Sequence, residues 1–189
     1  MAQNDNLVAK LANTGLYVVS GDLTQELTDA VMTAINSGGM WLGGIDQAIQ
    51  RAAGNQYHTQ AKAAMPLRDL QVVVARGNKG SHRGEFRDVV FVVDDLQNPL
   101  NRVVYAGLEA AHQQGYEKIA VPTIRIGNMV GLVEKTPEEA VARMSEGIND
   151  FVLKYGGQTN LKNITFVVYR DPATVRTLQT GLSRLAISD

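Results

Sequence analysis

Two apolar periods alternate along the chain, and they predict alternating strands and helices. Residues 16–20 and 30–35 are short runs of β-branched and small apolar side chains and read as strands. Residues 45–53 follow a helical period: Ile45, Ala48, Ile49 and Ala52 make one stripe, and Gly54 is placed to end the helix in a left-handed conformation. Two more β-branched runs, 71–75 and 89–93, enclose a basic loop, Arg76-Gly77-Asn78-Lys79-Gly80-Ser81-His82-Arg83-Gly84. Asn98 and Pro99 form an N-cap and a first-turn proline for a helix on Leu100, Val103, Val104, Gly107, Leu108 and Ala111, closed by Gly115. Residues 118–122 read as a short buried strand. Thr136-Pro137-Glu138-Glu139 is a capping box, and Val141, Met144, Ile148, Phe151 and Val152 follow it as a stripe. Residues 163–169 read as the last strand, and Asp171-Pro172 caps a final helix on Val175, Leu178, Leu182 and Leu185. No linker or repeat interrupts the alternation, which predicts one layered α/β domain over 1–189. The pattern leaves strand order open.

The run 21–54 carries the candidate chemistry. Asn36 closes the apolar stretch 30–35; Gly38, Gly39, Gly43 and Gly44 follow, and Asp46 stands in the first turn of the next helix. Backbone N–H groups of a glycine loop at a helix N-terminus make an anion site, most often for phosphate. A carboxylate beside that site is poorly suited to hold phosphate. It is well suited to handle a proton or a water next to a bound phosphate ester.

Composition narrows the partners. The 189 residues suit one sizeable core, and the formal net charge of -1 provides no global field for nucleic acid or an anionic membrane. There is no cysteine, so disulfides and thiolate zinc sites are excluded. No apolar run reaches the roughly 20 residues of a membrane span. The polar start, Met1-Ala2-Gln3-Asn4-Asp5-Asn6, predicts no signal peptide, and a cytoplasmic setting is the expectation.

The ordered motifs of the run 21–54 resemble the macrodomain family, the ADP-ribose-binding and ADP-ribose-processing modules. That family shows GDIT, then DAIVNAAN, a glycine run and VDGAIHRAAG. The match proceeds without a gap through Gly21-Asp22-Leu23-Thr24, Asp29-Ala30-Val31, Asn36, Gly43-Gly44-Ile45-Asp46, Ala48-Ile49 and Arg51-Ala52-Ala53-Gly54. The resemblance covers roughly residues 15–185 and implies a three-layer α/β/α fold with a central mixed sheet and a ligand cleft at the strand ends. There are departures. Thr33 replaces the first asparagine of NAAN, and Trp41 and Leu42 stand where glycines usually lie. The second phosphate loop, usually PAIS-T-G with an aromatic and a second glycine, is Pro122-Thr123-Ile124-Arg125-Ile126-Gly127-Asn128-Met129-Val130-Gly131.

The resemblance assigns roles that each residue's own chemistry allows. Asp22 accepts the adenine amino group while the Leu23 N–H donates to the ring; on its own, Asp22 also reads as a turn aspartate. Asn36 orients the distal ribose, and Asp46 positions or activates water or acts through a substrate hydroxyl; apart from the family, they read as a polar strand end and an acid stabilised by the helix dipole. Gly43, Gly44 and Ile45, with Ile126, Gly127, Asn128, Met129, Val130 and Gly131, offer backbone to the diphosphate. Arg125 either neutralises that diphosphate or is a surface arginine paired with a nearby acid. Trp41 either roofs the cleft, blocks it or packs away from it. Tyr169 stacks on adenine or sits in the core rim. His58, His82 and His112 show no metal-ligand spacing, and Gly77-Asn78-Lys79-Gly80-Ser81 has the wrong spacing for a P-loop. The basic loop around Lys79, His82 and Arg83 reads as a solvated turn or a nucleic-acid contact, the former being the commoner case.

The implied function is binding of ADP-ribose, free or protein-linked, and hydrolysis of ADP-ribosyl or O-acyl-ADP-ribose esters with no metal and no cofactor. A reader that binds without turnover, and a scaffold whose cleft Trp41 closes, are the alternatives.

Overall fold

The computed structural model describes residues 6–39, 44–126 and 130–187, with side chains through 185. Seven strands form one sheet: β1 (Leu7–Leu11), β2 (Thr14–Ser20), β3 (Ala30–Ile35), β4 (Val72–Ala75), β5 (Asp88–Val93), β6 (Lys118–Val121) and β7 (Asn163–Val168). Their order is β1-β2-β7-β6-β3-β5-β4. The inner pairings are parallel, and the edge strands β1 and β4 run antiparallel to their neighbours. All six residues of both β3 and β5 are buried, because parallel strands covered on both faces need apolar side chains on both.

Five helices cover the sheet: α1 (Ile45–Ala53), α2 (Gln56–Ala63), α3 (Leu100–Gln113), α4 (Pro137–Tyr155) and α5 (Pro172–Ser183). One core unites α3, α4 and α5 with one face through Met32, Val90, Leu108, Ile148, Phe166 and Leu178. The other joins α1 and α2 to the opposite face through Val31, Ile35, Ile49, Tyr57 and Phe91. This is the three-layer α/β/α arrangement, and among the described residues no helix is long and apolar enough to cross a membrane.

The pattern reading needs three corrections. It missed β1, whose buried member is Ala9, and α2, whose polar sequence QYHTQAKA carries no clear apolar stripe. It placed the α3 cap at Asn98, but Pro99 holds that position, and Asn98 donates to Asp69 Oδ2 instead. The Leu100 N–H is capped from a distance by Glu134 Oε1 at 2.8 Å. Third, α1 is turned about its axis. Asp46, Ile49 and Ala53 are its buried residues, while Ile45 and Ala48 line a cleft.

Helices α3 and α4 meet at Gly147, where an added Cβ would lie 2.5 Å from the Asn101 carbonyl oxygen and 3.1 Å from its Cα. Backbone cannot rotate aside as a side chain can. Gly147→Ala therefore lowers unfolding free energy by about 1–3 kcal/mol, the usual cost of overpacking. That outweighs the roughly 1 kcal/mol that alanine adds by helix propensity. An unchanged urea midpoint would show that the helices part without cost.

A candidate ligand cleft at the strand ends

The topology makes the crevice. β3 and β6 are neighbours, but they pair only at Ala30–Ile119 and Val31–Ala120. Beyond that point the chain leaving β3 enters α1 on one face, while the chain leaving β6 leads to α4 on the other. Ligands of open α/β sheets bind where adjacent strands send their connections to opposite faces.

A cleft of about 450 Å³ opens there. Its walls come from the end of β2 (Gly21, Asp22, Leu23), from α1 (Gly44, Ile45, Gln47, Ala48, Arg51), from the end of β6 (Pro122, Thr123) and from β7 (Val167, Tyr169). Five residues singled out from the sequence thus meet: Asp22, Leu23, Gly44, Ile45 and Tyr169. Gln47 and Arg51 were missed. Their signal was the i, i+4 spacing of two polar residues on α1, which reads equally as a solvated face.

Asp22 fills its turn reading. Oδ1 accepts from the Thr24 N–H at 2.9 Å and from the Thr24 hydroxyl at 2.8 Å, capping a short 3-10 helix, Leu23–Gln25. Oδ2 accepts from no described residue, so one oxygen shapes the turn and the other is unengaged. Tyr169 is 68% exposed and lines the cleft. The Arg170 guanidinium lies 5.2 Å from the centre of that ring.

Gly44 stands at the N-cap of α1 and supplies no side-chain cap. The first N–H groups of the helix, unsatisfied within it and carrying a partial positive charge, thus lie beside two cleft-lining residues, Gly44 and Ile45.

Asp46 lies on the other side of the same turn. It is fully buried, with Oδ1 3.3 Å from the Thr33 hydroxyl and 3.4 Å from His58 Nε2. Burial raises its pKa, opposed by His58 and by Thr33. Oδ2 is buried with no hydrogen-bond partner among the described residues. Asn36 ends β3 half-buried, and its carbonyl accepts from the Gly39 N–H at 3.0 Å. Neither Asn36 nor Asp46 is among the residues that line the cleft.

Of the two readings of Arg125, the acid partner is the one observed, and it is internal. The side chain is 2% exposed. Nε and one terminal nitrogen fork onto Asp94 at 3.1 and 2.7 Å, the other terminal nitrogen reaches both oxygens of Glu134 at 2.9 and 3.0 Å, and the Asn98 carbonyl accepts a further bond at 2.7 Å. All three guanidinium nitrogens are engaged and the side chain is buried away from the cleft lining, so it does not face a diphosphate there. Burial alone would lower its pKa, but the two carboxylates outweigh that and raise it. The side chain of Ile126 is buried in the larger core, and Val130 and Gly131 do not line the cleft; the Gly131 N–H donates to the Glu134 carbonyl. Trp41, Gly43, Gly127, Asn128 and Met129 lie outside the described residues. No group of three His, Asp or Glu side chains suits a metal ion among the described residues.

No family model matches the chain. It is 29% identical over 192 residues to an O-acetyl-ADP-ribose deacetylase of Citrobacter rodentium, covering 91% of this chain and 97% of that protein. Its fold is similar to a macrodomain variant from Oceanobacillus iheyensis, with a TM-score of 0.78 at 19% identity over 95% of this chain and 97% of the other. It is also similar to the Trypanosoma brucei macrodomain in complex with ADP-ribose, with a TM-score of 0.72 at 18% identity over 87% and 68%. Ordered motifs and relatives agree: the chain is similar to the macrodomain family, and its fold is the macrodomain fold.

Proposed function

We propose that the protein binds ADP-ribose in this cleft. The observation that carries the reading is the convergence on one crevice of three unlike groups: the Asp22 carboxylate with an unengaged oxygen, the exposed Tyr169 ring and the uncapped N-terminus of α1. A carboxylate suits an exocyclic amine, a flat ring suits a purine, and a bare helix terminus suits a phosphate. Calorimetry with ADP-ribose tests it. Asp22→Ala weakens binding of ADP-ribose and of AMP alike by about 1–3 kcal/mol, the cost of leaving a polar partner unpaired. Equal affinity for parent and variant would reduce Asp22 to a turn residue.

Hydrolysis of ADP-ribosyl or O-acyl-ADP-ribose esters is the second part of the reading. It is favoured by the similarity to an O-acetyl-ADP-ribose deacetylase along nearly the whole of both chains. Asn36, at the rigid end of β3, orients the distal ribose. Asp46, enclosed by Thr33 and His58, acts by positioning the first turn of α1 rather than by touching substrate. An assay on the ester-linked nucleotide separates an enzyme from a reader that binds without turnover.

A further inference from the structure

We propose that the adjacent acids Asp94 and Asp95 are positioning residues that couple the loop after β3 to the loop after β6, so that the two sides of the diphosphate and distal-ribose region are set together. The proposal rests on the ADP-ribose reading of the cleft. Asp95 Oδ1 accepts the Ser37 N–H at 2.7 Å, directly after Asn36, and the Asp94 N–H donates to the Ile35 carbonyl at 2.7 Å. The loop after β3 is thereby pinned to the end of β5. Asp94 turns its carboxylate the other way, onto Arg125. Arg125 then holds Glu134, whose side chain caps Leu100 and whose carbonyl accepts from Gly131. A second strand of the network closes the circuit. Asp69 accepts from the Asp95 N–H at 2.9 Å and from the Asn98 amide at 2.6 Å, and the Asn98 carbonyl accepts from Arg125.

The network is contiguous from Ser37 to Gly131 and ends on backbone at both sides. Arg125 also holds its own backbone at φ 60°, in the left-handed region that a non-glycine residue enters at a cost. The turn it sits in has Ile126 N–H donating to the Thr123 carbonyl, and Pro122 and Thr123 are cleft wall. The ion pairs therefore maintain a strained turn on the cleft's edge. Among the described residues Asp22 and Tyr169, the proposed adenine end, share no bond with this network.

The test compares two ligands and two loops. Asp95→Ala weakens ADP-ribose binding about 5- to 10-fold, the worth of one lost hydrogen bond, and leaves AMP within twofold. Asp95→Asn, whose amide oxygen still accepts from Ser37, restores most of the loss. In the protein alone, hydrogen exchange in Asp95→Ala quickens at Ile124 and Ile126 as well as at Ser37. In Glu134→Gln it quickens at Ser37 and Gly39 as well as near Ile126. Exchange confined in each variant to its own loop would overturn the coupling whether or not a ligand binds. Equal losses for AMP and ADP-ribose would overturn the positioning role. A parent protein that binds neither nucleotide would remove the ADP-ribose reading, while the exchange measurement still decides the coupling.

Discussion

Replacing Arg125 by methionine lowers the unfolding free energy by about 3–5 kcal/mol, the cost of breaking a buried ion pair by removing one partner. Two carboxylates, Asp94 and Glu134, lie within a few ångströms of the guanidinium and are themselves all but buried. Methionine matches much of the volume but provides no donor. Both acids then remain in low dielectric without a counter-charge, and that penalty, more than the lost attraction, sets the magnitude. The triple change Asp94→Asn, Arg125→Met, Glu134→Gln recovers a large part of the loss, because it removes the charges together. Urea unfolding of the two variants checks both statements. A loss under about 1 kcal/mol for Arg125→Met would mean that water reaches the acids, as it does in surface pairs.

In an ester-hydrolysis assay, Asn36→Ala lowers turnover about 10²–10³-fold, the usual effect of removing a preorganised polar group from a reacting centre. Affinity for ADP-ribose stays within a few-fold, because the proposed base and phosphate contacts, at Asp22, Tyr169 and the N-terminus of α1, do not involve Asn36. Asp46→Asn behaves differently. An amide preserves an acceptor for the Thr33 hydroxyl, and Asp46 is already shielded from solvent with a raised pKa. Turnover therefore changes less than about tenfold, below the 10²–10⁴ that a general acid or base supplies. Steady-state kinetics and calorimetry on the two variants decide the matter. A collapse of turnover in Asp46→Asn with intact binding would give Asp46 a direct role in proton transfer.

The contrast between Asp46 and Arg125 shows where sequence reasoning stops. In α1 the apolar residues Ile45, Ala48, Ile49 and Ala52 define a plausible buried stripe, and Asp46 falls outside it. The helix instead buries 46, 49 and 53, one step of the same 3.6-residue period further round. The period is local information. The phase depends on what the opposite surface offers, and here β3 and α2 offer Thr33 and His58, partners that let a carboxylate go inside. Arg125 follows the same logic, since its acids lie 31 residues before and 9 after it in the chain.

Local chemistry by itself determined the strands β3, β5, β6 and β7 to within a residue or two, the caps at Thr136 and Asp171, the end of α1 at Gly54, and the glycine-rich approach to a helix N-terminus. These depend on side-chain branching, on oxygen atoms within reach of their own backbone, and on a residue without a Cβ, all of which act over a few positions. The motif order also led to the family. Only the tertiary structure decided the strand order β1-β2-β7-β6-β3-β5-β4, the crevice where β3 and β6 part, the entry of Arg51 into its wall, and the burial of Asp46 and Arg125. Each of those is a pairing between distant segments, settled by which surfaces and charges can satisfy one another once the layers close.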